Sequence, residues 1–156
     1  MMRGNGKTSF KIILALSVLL TLGFIFYNSA LSPEASTAQS DGAMGLLALI
    51  FPSGTALNAF FTKYIRKVAH FAEYFLLGTE LSLYALLCTD KKIKNTPYAL
   101  GFLSASAALD ETIQIFSKRG SSVLDVLLDI SGGITAMLVI CIVYIILLKT
   151  KIGRKK

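Results

Sequence analysis

The chain has no tryptophan, one histidine, two cysteines and three prolines in 156 residues. Charged residues make up 16% of it, where a soluble domain carries about 25%. Each scarcity removes a class of function. A single histidine, His70, cannot supply the H-E-x-x-H pair of a zinc protease, and it stands in an H-x-x-E order instead. Cys88 and Cys141 form no C-x-x-C or other thiol motif and read as small apolar packers. There is no G-x-S-x-G elbow and no Gly-rich phosphate loop. No tandem repeat is visible, and low complexity is confined to a basic tail over residues 149–156.

What is present is long apolar runs, with a mean hydropathy of +0.64. A spanning helix needs about 20 mostly apolar residues. Four blocks meet or approach that length, over residues 11–27, 69–88, 97–116 and 123–148. They predict an all-α fold: a four-transmembrane-helix antiparallel bundle forming one domain over residues 1–156. The first block also fits a cleaved signal peptide, with a basic start, an apolar centre and Ser29-Ala30 after it. It lacks a clear A-x-A site, and an uncleaved span keeps the topology self-consistent.

Lys and Arg beside spans prefer the cytoplasm. With the N-terminus inside, Arg3, Lys7, Lys11, Lys91, Lys92, Lys94, Lys149, Lys151, Arg154, Lys155 and Lys156 are cytoplasmic. Only Lys63, Arg66, Lys67, Lys118 and Arg119 are outside. The expected arrangement is a multi-pass protein of the cell membrane with both termini cytoplasmic. The net charge of +7 is then a topology signal rather than a nucleic-acid footprint, and the tail can touch anionic lipid heads. Both cysteines fall toward the reducing side, which argues against a disulfide.

The acids show the converse bias. Asp90 alone falls in a cytoplasmic connection, while Glu34, Asp41, Glu73, Glu80, Asp110, Glu111, Asp125 and Asp129 lie in the outer connection or in spans. Residues 28–64 read as a long outer loop between the first two spans, with Pro33 fixing a bend. Within it, residues 43–52 are apolar but too short to span, and read as a re-entrant or interfacial segment. Residues 55–68 form an amphipathic lead-in. Two readings stay open: an ordered loop resting on the membrane, or a lid over an external pocket.

The polar residues inside the spans fall into register. His70, Glu73, Leu77, Glu80 and Tyr84 step by three and four residues and make one helical stripe. Asp110 and Gln114 share a face of the third span, with Glu111 beside them; Asp125 and Asp129 share a face of the fourth. Arg119 stands in the short turn between, where Ser121 or Ser122 can cap the next helix. Three spans thus aim polar groups at one outer layer, and intramembrane ionisable residues are by default a functional-site hypothesis. The expected pocket holds Lys67, His70, Glu73, Glu80, Asp110, Glu111, Gln114, Arg119, Asp125 and Asp129, with His70 and Glu73 at the rim and Glu80 as floor. The competing explanation is a hydrogen-bond and ion-pair clamp, with His70 and Arg119 answering the acids. Gly78 and Gly132-Gly133 mark close helix packing.

Four ordered stretches resemble the VanZ-like family of bacterial membrane proteins: FYNSALSPEAS (Phe26 to Ser36), RKVAHFAEYFLLG (Arg66 to Gly78), LDETIQIFSKRGSSVLDV (Leu109 to Val126) and LLDISGG (Leu127 to Gly133). The family's K-x-x-H-F-x-E-Y-x-x-L-G motif falls on Lys67, His70, Phe71, Glu73, Tyr74, Leu77 and Gly78. Its D-E-x-x-Q-x-F motif falls on Asp110, Glu111, Gln114 and Phe116, and its Arg and Asp on Arg119 and Asp125. Asp129 is a departure, since the family usually carries Asn there. The resemblance implies a Gram-positive-type cell envelope and a link to teicoplanin resistance.

Three functions compete. The first is an envelope protein that binds an amphipathic lipid, a lipoglycopeptide antibiotic or a lipid-linked cell-wall precursor at the outer leaflet. The second is an outer-leaflet enzyme, acid-base or metal-assisted, with His70, Glu73, Asp110 and Glu111 as catalytic candidates. His70 suits the role of general base, with proton transfer near neutrality, or of metal ligand. Glu73, Asp110, Glu111 and Asp125 suit a divalent cation, Mg or Mn before zinc given the oxygen-rich set. The third is a small proton-coupled transporter using Glu80, which with four spans calls for a homo-oligomer.

Overall fold

The computed structural model describes residues 3–88 and 95–153. Asp90, Lys91, Lys92, Lys94 and residues 154–156 lie outside the described residues, as do the side chains of Arg3, Lys7, Cys88 and Lys151. The described residues form five helices and no strand: α1 (Arg3–Ala30), α2 (Pro33–Ala48), α3 (Ala56–Cys88), α4 (Thr96–Phe116) and α5 (Val123–Gly153).

Four of these helices carry the four apolar blocks; the connection between the first two blocks differs from the expected loop. Ser32 caps α2 by accepting from the Ala35 amide, Pro33 occupies the first turn where its missing N–H costs nothing, and Glu34 complements the helix dipole. Pro33 therefore starts a helix, where a bend was expected. Residues 43–48 are the end of α2, and Leu46, Leu49 and Ile50 stand exposed there. The lead-in is the first third of α3, continuous with the block that follows. Thr55 opens it by accepting from the Asn58 amide at 3.2 Å, and Phe51 stacks on Phe61 at 5.6 Å.

Helix α3 is the central post, packed against all four others. Ile25, Tyr74, Leu77, Leu103 and Ala107 form the core between α1, α3 and α4. On its other side α3 meets α5 backbone to backbone. A Cβ at Gly78 would lie 2.7 Å from Gly133 Cα, and one at Gly132 would lie 2.5 Å from the Phe71 carbonyl oxygen. Small residues permit this approach, as in membrane helix pairs.

Thr8–Ala30 and Val123–Thr150 are long and apolar enough to cross a membrane, and most of each lies unburied on the surface of the fold. Leu16, Leu19, Leu20 and Phe24 on α1, and Leu138, Ile142 and Ile146 on α5, are exposed. A soluble core helix would bury such a surface; lipid accepts it. Helix α1 is also built into the bundle, through Ile25 in the core and Ser29 hydrogen-bonded to Asp110.

Candidate functional site

At the end of the bundle where α1 stops and α4 turns into α5, three helices bring ionisable groups together. Helix α3 supplies His70, α4 supplies Asp110 and Glu111, and α5 supplies Asp129. One ligand-type atom from each lies within 4.8 Å of the others. His70 Nδ1 is 3.4 Å from Asp110 Oδ2 and 3.6 Å from Asp129 Oδ1. Asp110 and Asp129 are fully buried, and Glu111 is nearly so.

The acids differ in what holds them. The Ser29 hydroxyl donates to Asp110 Oδ1. Glu111 accepts from Gln114 Nε2 at 3.1 Å and from the Ser122 amide at 3.1 Å. Ser122 also caps α5 by accepting from the Leu124 amide at 3.0 Å. Among the described residues, neither oxygen of Asp129 has a hydrogen-bond partner, nor does His70 Nδ1. Further polar contacts surround this group. Asn28 Nδ2 donates to Glu73 at 2.7 Å, and Arg119 Nη1 donates to the Asn28 carbonyl at 2.8 Å. Burial lowers the Arg119 guanidinium from its ordinary value, and Arg66 adds to this, while Asp110 and Glu111 pull the other way.

Two cavities flank His70. One, of about 280 Å³, is lined by Arg66, Lys67, Lys118 and Arg119 with His70 and Glu111. The other, of about 330 Å³, lies under α2, whose Ser36, Gln39 and Ser40 face His70, Glu73 and Arg119. Arg66 ties α2 down, donating from Nη2 to Thr37 Oγ1 at 2.6 Å and from Nε to Ser40 Oγ at 3.3 Å. Lys67 bridges to Asp125 at 2.8 Å across the rim, and that hydrogen bond raises its ammonium above the ordinary value.

Nine of the ten expected pocket residues therefore meet in or around this region. His70, Asp110, Glu111 and Asp129 form the cluster. Glu73 lies beside it, and Lys67, Gln114, Arg119 and Asp125 line the first cavity. Glu80 is elsewhere: Ser17 and Thr21 on α1 donate to its Oε1 at 2.6 and 3.0 Å. It sits seven residues, about 10 Å of helix, beyond Glu73. The base beneath His70 is Asp110 and Asp129. Of the cation set expected from sequence, His70, Asp110 and Glu111 lie in the cluster, while Asp129 stands where Glu73 and Asp125 were expected. Sequence reasoning missed Asn28, Ser29, Ser17, Thr21 and the α2 anchor Arg66. A signal existed for three of them: Ser17, Thr21 and Asn28 fall within about 40° on the α1 wheel, a polar stripe on an otherwise apolar helix.

Comparison with curated proteins and with solved structures gives no match. A family model described as VanZ/LLP1 matches residues 13–148, a stretch that includes every residue of the cluster and of both flanking cavities. With its exposed apolar helices, the chain is a membrane protein, and it belongs to the VanZ/LLP1 family.

Proposed function

We propose that this protein spans the membrane four times, with both termini cytoplasmic, and binds the head group of an amphipathic envelope molecule at the outer leaflet. The occupant is an anionic lipid-linked envelope component or a lipoglycopeptide of the teicoplanin type. One observation carries the reading: the cavity that sets Arg66, Lys67, Lys118 and Arg119 around His70 and Glu111. Four cations against two carboxylates, Glu111 and the Lys67-paired Asp125, leave the mouth net positive, which suits an anionic head group, with Arg supplying planar, two-pronged hydrogen bonding. The exposed apolar flanks of α1 and α5 would leave the acyl part of such a molecule in lipid. The excess of Lys and Arg on the opposite connections supports an outward mouth, and α2 over the second cavity supports the lid reading of the outer connection.

The test compares a susceptible Gram-positive host carrying empty vector, wild type, or level-matched His70→Ala and Glu111→Ala. Wild type is expected to raise the inhibitory concentration of teicoplanin and not of vancomycin, and both variants to lose the effect. No change with wild type removes the antibiotic as occupant. Failure of the purified chain to retain any anionic envelope lipid in micelles removes the head-group reading as a whole.

A second reading has its own support. His70 borders both cavities and faces Asp110, which Ser29 orients. A histidine beside a carboxylate and bordering a cavity is a candidate general base, so an outer-leaflet enzyme acting on the same class of molecule is the alternative. Conversion of a bound lipid over time, lost in His70→Ala, separates it from pure binding.

A further inference from the structure

We propose that His70, Asp110, Glu111 and Asp129 bind one divalent cation of the magnesium–manganese class. Acids in a cluster do not by themselves make a metal site. The deciding feature is Asp129, which is fully buried with both carboxylate oxygens lacking any hydrogen-bond partner among the described residues. A buried carboxylate is ordinarily hydrogen-bonded or paired. Its nearest cationic atom, His70 Nδ1, is 3.6 Å away, too far for a hydrogen bond. The same nitrogen is 3.4 Å from Asp110 Oδ2, also without a hydrogen bond. The imidazole is thus within ion-pair reach of both acids when protonated, but hydrogen-bonds neither.

These gaps have the dimensions of a coordination sphere. An octahedral ion with bonds of about 2.1 Å holds adjacent ligand atoms about 3.0 Å apart and opposite ones about 4.2 Å apart. The two measured edges lie between those values, and all four donors fall within 4.8 Å of one another. The two edges exceed the adjacent-ligand distance by about 0.4 and 0.6 Å, so binding would draw His70 and the two aspartates together. Two of the three acids are also oriented by neighbours, and Gln114 reaches the Asp110 oxygen that faces His70 at 3.5 Å. Ser29 bonds the Asp110 oxygen that points away from His70, and Gln114 and the Ser122 amide fix Glu111. Three carboxylates and one imidazole favour a hard ion over zinc or copper, and manganese accepts both donor types. His70 and Glu111 also line the first cavity, so the cluster borders it. The inference stands apart from the head-group reading: a chain that takes the metal but no anionic lipid would sink that reading and leave this one intact.

The test uses full-length protein in detergent micelles, stripped with chelator and titrated with MnCl₂. Wild type is expected to bind one Mn²⁺ per chain, and pulsed electron paramagnetic resonance to show coupling to an imidazole nitrogen. Asp129→Asn should weaken binding at least about tenfold, His70→Ala should abolish the nitrogen coupling, and Asp41→Asn, an exposed acid on α2, should bind as wild type does. Wild-type protein that takes up no stoichiometric Mn²⁺, or takes it up without nitrogen coupling, overturns the proposal whatever the variants do.

Discussion

Gly78→Ala tests the seam on which the site depends. The new methyl would meet Gly133 across the α3–α5 interface, 2.7 Å from its Cα and 2.9 Å from its carbonyl carbon. The Gly133 carbonyl oxygen is closer still, and ordinary contact begins near 3.4 Å, so the helices must part by roughly 1 Å, because backbone cannot swing aside as a side chain can. Forced overpacking of this sort costs about 1–3 kcal/mol, and the better helix propensity of alanine returns up to about 1 kcal/mol. The expected net loss is about 0–2 kcal/mol against wild type and about 1–3 kcal/mol against a control that gains the same propensity. Gly101→Ala on α4 is the matched control, since nothing lies within 4 Å of the place its methyl would take, and it should be neutral or mildly stabilising. Both are measured by unfolding in mixed micelles of mild detergent and SDS, followed by circular dichroism. The same parting would carry His70 on α3 away from Asp129 on α5, so Gly78→Ala should also weaken Mn²⁺ binding. Equal stability of the two variants would refute the close α3–α5 approach and with it the placement of the cluster.

Three further outcomes follow from the contacts. Ser29→Ala removes a hydroxyl from the buried Asp110 carboxylate and should destabilise by about 1–3 kcal/mol in the same unfolding assay; no loss would mean that Ser29 does not orient that acid. Glu80→Ala strands the Ser17 and Thr21 hydroxyls inside the bundle and should destabilise by a comparable ~1–3 kcal/mol, yet leave Mn²⁺ affinity unchanged, whereas a drop in affinity would place Glu80 in the pocket after all. The Lys67 ammonium is raised by the Asp125 hydrogen bond. Its contribution is therefore complete below the ordinary lysine value of 10.5 and fades as pH rises through the higher folded value. Lys67→Met should flatten that small alkaline decline in a pH series of melts, and an unchanged slope would show the rim pair to be inert.

Much of the helical framework was legible because apolar length is a strong signal in a chain with so little charge. The fourth block begins with α5 at Val123, and the third lies one residue inside α4, because Ser122 and Pro97 mark those starts locally. Helix α2 was not legible as a helix. It buries only Ser36, so no apolar stripe announces it, and Gly42 and Gly45 dilute its propensity. Its order comes from the Ser32 cap and from Arg66 reaching across from α3, and the second of these is a tertiary contact with no local trace. The convergence of His70, Asp110, Glu111 and Asp129 could be read from helical phase combined with depth. The fate of Glu80 could not. Its phase puts it on the His70 stripe, but the wheel does not say which neighbour a position faces ten residues further along a long helix, and there α1 offers Ser17 and Thr21.

Asp129 separates a structural clamp from an ion site, because among the described residues neither of its buried oxygens has a hydrogen-bond partner. Asparagine has the same shape, one charge fewer and two added donors. In the metal-free chain, Asp129→Asn removes one of three carboxylates from a buried cluster and lets an amide donate toward Asp110, so the variant should be more stable than wild type by at least about 1 kcal/mol. Added Mn²⁺ should reverse the order. A ligand that binds only the folded state stabilises by an amount that grows with its concentration, about 2.7 kcal/mol at a hundredfold excess over Kd, and the variant, having lost a ligand, gains far less. The two stability curves should therefore cross as Mn²⁺ rises. A clamp answered by His70 gives the opposite pattern: the variant is weaker without metal, because His70 loses a charged partner, and Mn²⁺ moves neither protein. Parallel, metal-insensitive curves with wild type on top would end the cation reading and return the cluster to a structural role.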